Sequence, residues 1–100
     1  MHLSEKYILA YKQMKNNQEQ LFYVTHYNGL NEGPDDVLHP IKDMDKFQPY
    51  SFTTKKKAQE ALKQVKGNPY FSLDAGCEDV DKNTARKNLK IGSVTQLIVV

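Results

Sequence analysis

Three consecutive lysines are the residues of this chain whose chemistry is most distinctive, because they open a predicted helix. Lys55, Lys56 and Lys57 directly follow two threonines. The N–H groups of a helix's first turn carry partial positive charge, which favours acidic residues there and disfavours lysines. Free N–H groups beside lysines can bind an anion such as a phosphate or a nucleic-acid backbone. We therefore treat these three lysines as a candidate anion site, with a solvated helix face as the alternative.

A second basic stretch lies closer to the C-terminus and contains Lys82, Arg86, Lys87 and Lys90. Two basic elements on one small domain would give the electrostatic footprint of a protein that binds a nucleic-acid backbone. No recognised nucleic-acid-binding motif is present, and the isoelectric point of about 8.6 is lower than that of strongly basic domains. We retain Arg86 and Lys87 as candidate contacts for such a partner.

The residues that serve most often in catalysis and metal binding are few and scattered. Cys77 is the single cysteine, and the three histidines show no spacing typical of metal ligands. A thiol–imidazole pair of Cys77 with His26 or His39 lacks a predicted helix N-terminus and a third residue to complete it. The chain also lacks a glycine-rich phosphate loop. We therefore predict a protein that is not an enzyme, with no cofactor and no metal.

Composition places the chain among folded single domains. It has 100 residues, of which 39% are hydrophobic and 26% charged, and a formal net charge of +2. A lone cysteine gives no intramolecular disulfide, and no apolar run is long enough to span a membrane. These features predict one domain over residues 1–100 in a reducing, cytoplasmic setting.

The sequence predicts one main helix, over residues 54–66. Its apolar residues recur at helical spacing and form one face: Ala58, Ala61, Leu62 and Val65. Thr53 or Thr54 can cap the first turn, and Gly67 suits a left-handed residue at the end. The remaining chain is predicted to form mainly β-sheet, which covers the apolar face of this helix.

The N-terminal part of the chain predicts a β-hairpin. Residues 5–13 and 20–27 alternate in strand fashion on either side of Asn16-Asn17. A two-residue loop there pairs residues whose numbers sum to 33. The face that we assign to the core carries Leu9, Tyr11, Phe22 and Val24.

The opposite face of the hairpin carries Lys12, Thr25 and Tyr23, and we expect it to face outward. Exposed aromatic residues are common at protein–protein interfaces, so Tyr23 is a candidate partner contact. The alternative is that the helix or the long loop covers the tyrosines. That loop, over residues 28–50, contains three X-Pro break points and a helical turn over residues 43–47. We expect an ordered surface loop folded back on the hairpin, with a partner-binding loop as the alternative.

The C-terminal third predicts short elements and one clear strand. Residues 70–73 suit a short strand, and Val80, Ala85 and Leu89 leave open a short second helix. Residues 93–100 are apolar on both faces, which is typical of an interior strand. The predicted fold is α+β, with an antiparallel sheet from the hairpin and the C-terminal strand packed against the main helix.

The hairpin followed by Phe-Thr-Thr-Lys-Lys-Lys-Ala-Gln-Glu-Ala-Leu at 52–62 resembles small uncharacterised phage- and prophage-encoded proteins. The resemblance covers residues 7–65 and implies an accessory protein of a mobile element, without identifying any functional residue. We expect a non-enzymatic module that binds another protein, or a second copy of itself through a sheet edge. An electrostatic nucleic-acid-binding protein is the alternative.

Overall fold

The computed structural model describes the backbone of residues 2–27 and 35–98 and the side chains of residues 5–25 and 36–95. The predicted α+β class is confirmed: within these residues a six-stranded mixed sheet packs against one main helix and a short second one. In chain order the elements are β1 (His2–Lys15), β2 (Gln18–Tyr27), β3 (Asp35–Pro40), a 3-10 turn (Ile41–Asp43), β4 (Ser51–Phe52), α1 (Lys55–Lys66), β5 (Ser72–Leu73), α2 (Lys82–Lys87) and β6 (Lys90–Ile98).

The hairpin of β1 and β2 has the predicted loop and register. Asn16 and Asn17 adopt φ angles of 50° and 64°, the left-handed values that a tight two-residue turn requires and that asparagine tolerates. The paired residues sum to 33 from Ala10 opposite Tyr23 to Lys15 opposite Gln18. The turn therefore fixes which face of each strand is buried.

β1 is the central strand, with β6 along one edge and two strands along the other. Tyr7 and Ile8 pair with β4 as well as with β6, so those two strands must lie on opposite edges. The Tyr50 N–H donates to the Val24 carbonyl at 3.0 Å. The chain entering β4 is thus inserted between β1 and β2, where the two arms of the hairpin separate.

The segment that we predicted as a loop contains a strand. β3 runs antiparallel to β2 and parallel to β5, with Val37 opposite Ser72 and Leu38 opposite Leu73. A hydrogen-bonded turn is present at the predicted residues 43–47, where the Phe47 N–H donates to the Asp43 carbonyl at 2.9 Å, and it directly follows the 3-10 turn. The predicted strand at 70–73 is reduced to β5. One of the three predicted X-Pro break points, Gly33-Pro34, lies outside the described residues.

α1 closes one face of the sheet, which we call the helical face. Val65 of α1 lies in the same core as the four hairpin residues predicted for it, Leu9, Tyr11, Phe22 and Val24. Ala61 and Leu62 pack against that core, and Ala58 is buried as well. Thr54, not Thr53, is the cap, and its hydroxyl accepts the Lys57 N–H at 3.2 Å. The prediction of a left-handed Gly67 is wrong: its φ of −97° lies in a region open to any residue, because its N–H reaches back to Gln64 without that conformation.

The short second helix is present as α2 and completes the helical face. Val80, Ala85 and Leu89 are all buried in its core, as their spacing indicated. Asp81 caps α2 by accepting the Thr84 N–H at 2.9 Å and the Thr84 hydroxyl at 2.6 Å. These hydrogen bonds to the charged form hold the pKa of Asp81 below its usual value.

The opposite face, which we call the loop face, is largely covered as well. Tyr23 is fully buried and Thr25 is 8% exposed, so the prediction that this face points outward is wrong. The reason is that residues 41–50 fold back over it, and the Phe47 ring stacks on His39 with centroids 4.6 Å apart. Coverage stops before the hairpin loop, where Met14 and Leu21 remain exposed.

β6 begins three residues earlier than predicted and pairs differently. It is antiparallel to β1 over nine residue pairs, from His2 opposite Ile98 to Ala10 opposite Lys90. No other strand in the described ranges pairs with it, so the predicted interior position is wrong and β6 is an edge strand. Ile91 packs against the helical-face core. The predicted end of this strand, Val99 and Val100, lies outside the described residues.

Candidate functional site

The three lysines at the start of α1 are exposed. Lys55, Lys56 and Lys57 form no ion pair with any residue whose side chain the structure describes. Two further exposed lysines, Lys63 and Lys66, lie on the same helix. α1 therefore presents five cations to solvent.

Arg86 and Lys87 lie at the other end of α1. The Arg86 guanidinium donates from Nη1 to the Asn68 carbonyl at 3.2 Å, just beyond the last turn of the helix. A cation at a helix C-terminus is favourable, so this contact has a structural explanation. Lys87 is exposed. About 17 Å of helix separates Lys57 from Asn68, so the structure does not bring the two basic groups into one site.

Tyr23 is a structural residue of the loop face. Its hydroxyl donates to the Phe47 carbonyl at 2.5 Å and so fixes residues 41–50 to the sheet. Burial, together with the charges of Asp43 and Asp74, raises the pKa of Tyr23 to about 12. Its hydroxyl is a hydrogen-bond donor at neutral pH, and its ring is not available to a partner.

The strongest concentration of chemical groups involves residues that the sequence analysis did not single out as a set. His39, Asp43 and Asp74 each place one ligand atom within 4.8 Å of the other two. His39 Nδ1 lies 3.9 Å from Asp43 Oδ2 and 3.7 Å from Asp74 Oδ2. Both separations are too long for a hydrogen bond. We call these three residues the His39 cluster.

Three elements assemble the His39 cluster. His39 lies near the end of β3, and Asp43 follows it by four residues through the 3-10 turn. Asp74 comes directly after β5, which is parallel to β3, so both strands deliver their following residues to the same edge of the sheet. The Asp74 N–H continues this pairing by donating to the Leu38 carbonyl at 2.9 Å.

The His39 imidazole packs against two aromatic rings and lacks a hydrogen-bond partner at one nitrogen. It stacks with Phe47 and with Tyr23, with centroids 4.6 Å and 5.9 Å away. Its side chain is 8% exposed. Nδ1 is buried and is the one side-chain atom within the described residues that is buried without a hydrogen bond. Buried polar atoms are normally paired, so this nitrogen is a candidate ligand atom.

The Asp74 carboxylate is oriented by the turn that follows it. The Gly76 N–H donates to Asp74 Oδ2 at 3.1 Å. A Cβ at position 76 would lie 2.9 Å from Pro40 Cγ, a separation that side chains do not adopt. Glycine is therefore required at position 76 for this turn to pack against the end of β3. The turn orients the Asp74 carboxylate toward His39.

Cys77 lies beside the cluster and is inert. Its Sγ donates to the Leu38 carbonyl at 3.3 Å, and the residue is 4% exposed, as expected for a lone structural cysteine. Burial, with the nearby charges of Asp74 and Asp43, raises its pKa to about 11. The thiol is protonated at neutral pH and is not an activated nucleophile.

A cleft of about 390 Å³ opens onto the His39 cluster. His39 and Asp74 form part of its wall, and the remaining lining residues are Thr25, Val37, Lys46, Phe47 and Gln48. The cleft is large enough to admit water and a small ligand to the two residues. Its walls combine an aromatic ring with polar side chains of both charge signs.

Sequence analysis missed this cluster because it considered histidine and cysteine spacing alone. The i, i+4 spacing of His39 and Asp43 was a usable signal only with a turn between them, whereas the predicted helical turn began at Asp43. Asp74 could not have been added, because its position depends on the pairing of β3 with β5.

Comparison with known proteins assigns no family to the chain. No family model matches it, and neither a curated protein nor a solved structure matches it significantly. Among the described residues, no helix is long and apolar enough to cross a membrane.

Proposed function

We propose that this protein is a non-enzymatic protein-binding module that pairs with a partner along the outer edge of β6. The observation that carries the proposal is the pairing of β6 with β1 alone among the described strands. A free edge presents unpaired N–H and C=O groups to a second strand. The partner is a second copy of this chain.

The hairpin loop determines which backbone groups of β6 point outward. Because the loop has two residues, the flanking pair of Lys15 and Gln18 exchanges hydrogen bonds, and odd-numbered residues of β1 bond toward β2. Even-numbered residues of β1 therefore bond toward β6, where Ile8 lies opposite Gly92 and Lys6 opposite Val94. It follows that Ser93 and its alternate neighbours direct their N–H and C=O groups to the open edge.

Beyond Lys90 at its first position, β6 lacks the features that normally protect an edge strand. From Ile91 to Ile98 it reads Ile-Gly-Ser-Val-Thr-Gln-Leu-Ile, without a charged residue or a proline. Soluble proteins commonly place lysine, proline or a bulge on an exposed edge to prevent pairing. The absence of such residues here favours an edge that is used for binding.

A second copy fits this edge because antiparallel pairing about a two-fold axis brings identical strands together. Pairing of this kind is closed and produces a dimer. The neutral stretch avoids repulsion between like charges, and the two sheets would join into one. Assembly in this manner is the simplest use of an unprotected neutral edge.

Sedimentation velocity on single-proline variants tests the proposal. Ser93→Pro removes an outward N–H without removing a bond to β1, so we expect a folded monomer where the parent protein is a dimer. Val94→Pro is the matched control, because it removes an inward N–H and is expected to destabilise the fold itself. Thr95→Lys, which adds a charge at an exposed edge position, should also give a monomer.

Two results would contradict the proposal. One is a parent protein that remains monomeric across the concentrations at which folded domains associate, from about 1 μM to 1 mM. The other is a Ser93→Pro variant that is folded and still dimeric.

A nucleic-acid-binding protein is the second candidate, favoured by the five exposed lysines of α1. Binding to a phosphate backbone weakens steeply with salt, in proportion to the number of contacts. Fluorescence anisotropy with a labelled duplex at increasing salt separates the candidates, since pairing at the β6 edge depends little on ionic strength. The cytoplasmic setting and the origin in a mobile element stay predictions.

A further inference from the structure

We propose that His39, Asp43 and Asp74 bind a divalent transition-metal cation of the Zn²⁺ class. The site is independent of the β6 edge. It rests on two observations: three ligand atoms brought together from separate elements, and a buried imidazole nitrogen that points at the two carboxylates without a hydrogen bond.

The separations fit a cation at the centre of the cluster. Zinc binds imidazole nitrogen and carboxylate oxygen at about 2.0–2.2 Å, which places tetrahedral ligands roughly 3.4 Å apart. His39 Nδ1 lies 3.7 Å from Asp74 Oδ2 and 3.9 Å from Asp43 Oδ2. Movement by a few tenths of an ångström brings each carboxylate oxygen into range of Nδ1, and the two carboxylate oxygens lie within 4.8 Å of each other. Hydrogen bonds at these distances would need larger shifts.

The donor set indicates the class of cation. One imidazole nitrogen with two carboxylate oxygens suits zinc and its borderline neighbours, whereas magnesium and calcium prefer oxygen alone. Two carboxylates beside a neutral imidazole also balance the charge of a divalent ion. Three protein ligands leave a fourth position open, and the adjacent cleft can supply water or a ligand there.

The surroundings orient the ligands as metal sites do. The Gly76 N–H holds Asp74 Oδ2, and the rings of Phe47 and Tyr23 fix the plane of the imidazole. Such supporting contacts position ligands and raise metal affinity. The alternative occupant is a proton: a charged imidazole would attract both carboxylates without any metal.

Calorimetric titration with Zn²⁺ tests the site, using protein in which His2 and His26 are replaced by glutamine to remove other imidazoles. We expect one saturable site per chain. Asp43→Asn and Asp74→Asn should each weaken binding by at least about tenfold. Asp45→Asn is the matched control, because Asp45 is an exposed carboxylate two residues from Asp43 and should leave the affinity unchanged.

Long-range ¹H–¹⁵N correlation of the His39 ring distinguishes the metal from the proton and does not depend on any activity. Zn²⁺ should shift Nδ1 to the value of a metal-bound nitrogen, while backbone spectra show that each variant is folded. The proposal is overturned if Nδ1 stays protonated in the presence of Zn²⁺. Equal Zn²⁺ affinity in the parent and in folded Asp43→Asn and Asp74→Asn proteins would overturn it as well.

Discussion

The two faces of the sheet are closed by different means. The helical face is covered by α1 and α2, and its core is apolar, with Leu9, Val24 and Leu38 fully buried. The loop face is covered by the irregular residues 41–50 and buries polar groups, among them the Tyr23 hydroxyl and the His39 imidazole. Closure of the helical face depends on the apolar area that is buried, whereas closure of the loop face depends on specific partners for its buried polar groups.

This difference assigns stability to one face and ligand chemistry to the other. Apolar burial is favourable without directional requirements, so a helix with a repeating apolar side is sufficient to close a face. Buried polar atoms each need a partner, and an unpaired one is costly. The loop face satisfies Tyr23 internally and leaves His39 Nδ1 for a ligand.

The largest difference in stability between the two faces is expected when a leucine on each face is truncated to alanine. Leu9→Ala removes a fully buried side chain beneath α1, and we expect a loss of about 2–5 kcal/mol in the free energy of unfolding. Leu21→Ala, at an exposed position on the loop face, should change it by no more than about 0.5–1 kcal/mol. Urea unfolding at matched protein concentration measures both. Equal losses would show that the open part of the loop face is buried, for instance in an assembly.

A smaller loss of stability is expected when the Tyr23 hydroxyl, which fixes residues 41–50 to the sheet, is removed. Tyr23→Phe removes the hydrogen bond to the Phe47 carbonyl but keeps the ring, so we expect a loss of about 0.5–1.5 kcal/mol. Tyr70→Phe is the control, because that side chain is 55% exposed. Thermal unfolding compares the two variants. A Tyr23→Phe protein as stable as the control would mean that ring packing alone attaches the segment.

The parts of the fold that were predicted from the sequence depend on local rules. The Asn16-Asn17 turn set the hairpin register, and the repeat of Ala58, Ala61, Leu62 and Val65 set the buried side of α1. Both signals lie within about a dozen residues and are independent of the rest of the chain. The hairpin's core face followed from the same rules.

The parts that sequence analysis missed depend on distant pairing. β3 contains two aspartates and ends at a proline, so its residues do not read as a strand, and its pairing with β2 overrides that local preference. Sequence analysis left open whether the loop covers Tyr23, and its burial follows from the return of residues 41–50 to that face of the sheet. Prediction of the His39 cluster required both of these features, together with the parallel pairing of β3 with β5.

Hydrogen exchange with and without Zn²⁺ tests most directly the central claim that the loop face closes around a cation. The amides of Met44, Lys46 and Phe47 donate to carbonyls of the 3-10 turn, which carries Asp43. We predict that Zn²⁺ slows their exchange at least about tenfold, because opening of the segment would release the metal. The Ala58 amide, in the first turn of α1, should be unaffected. Unchanged exchange at the three segment amides in saturating Zn²⁺ would contradict the account.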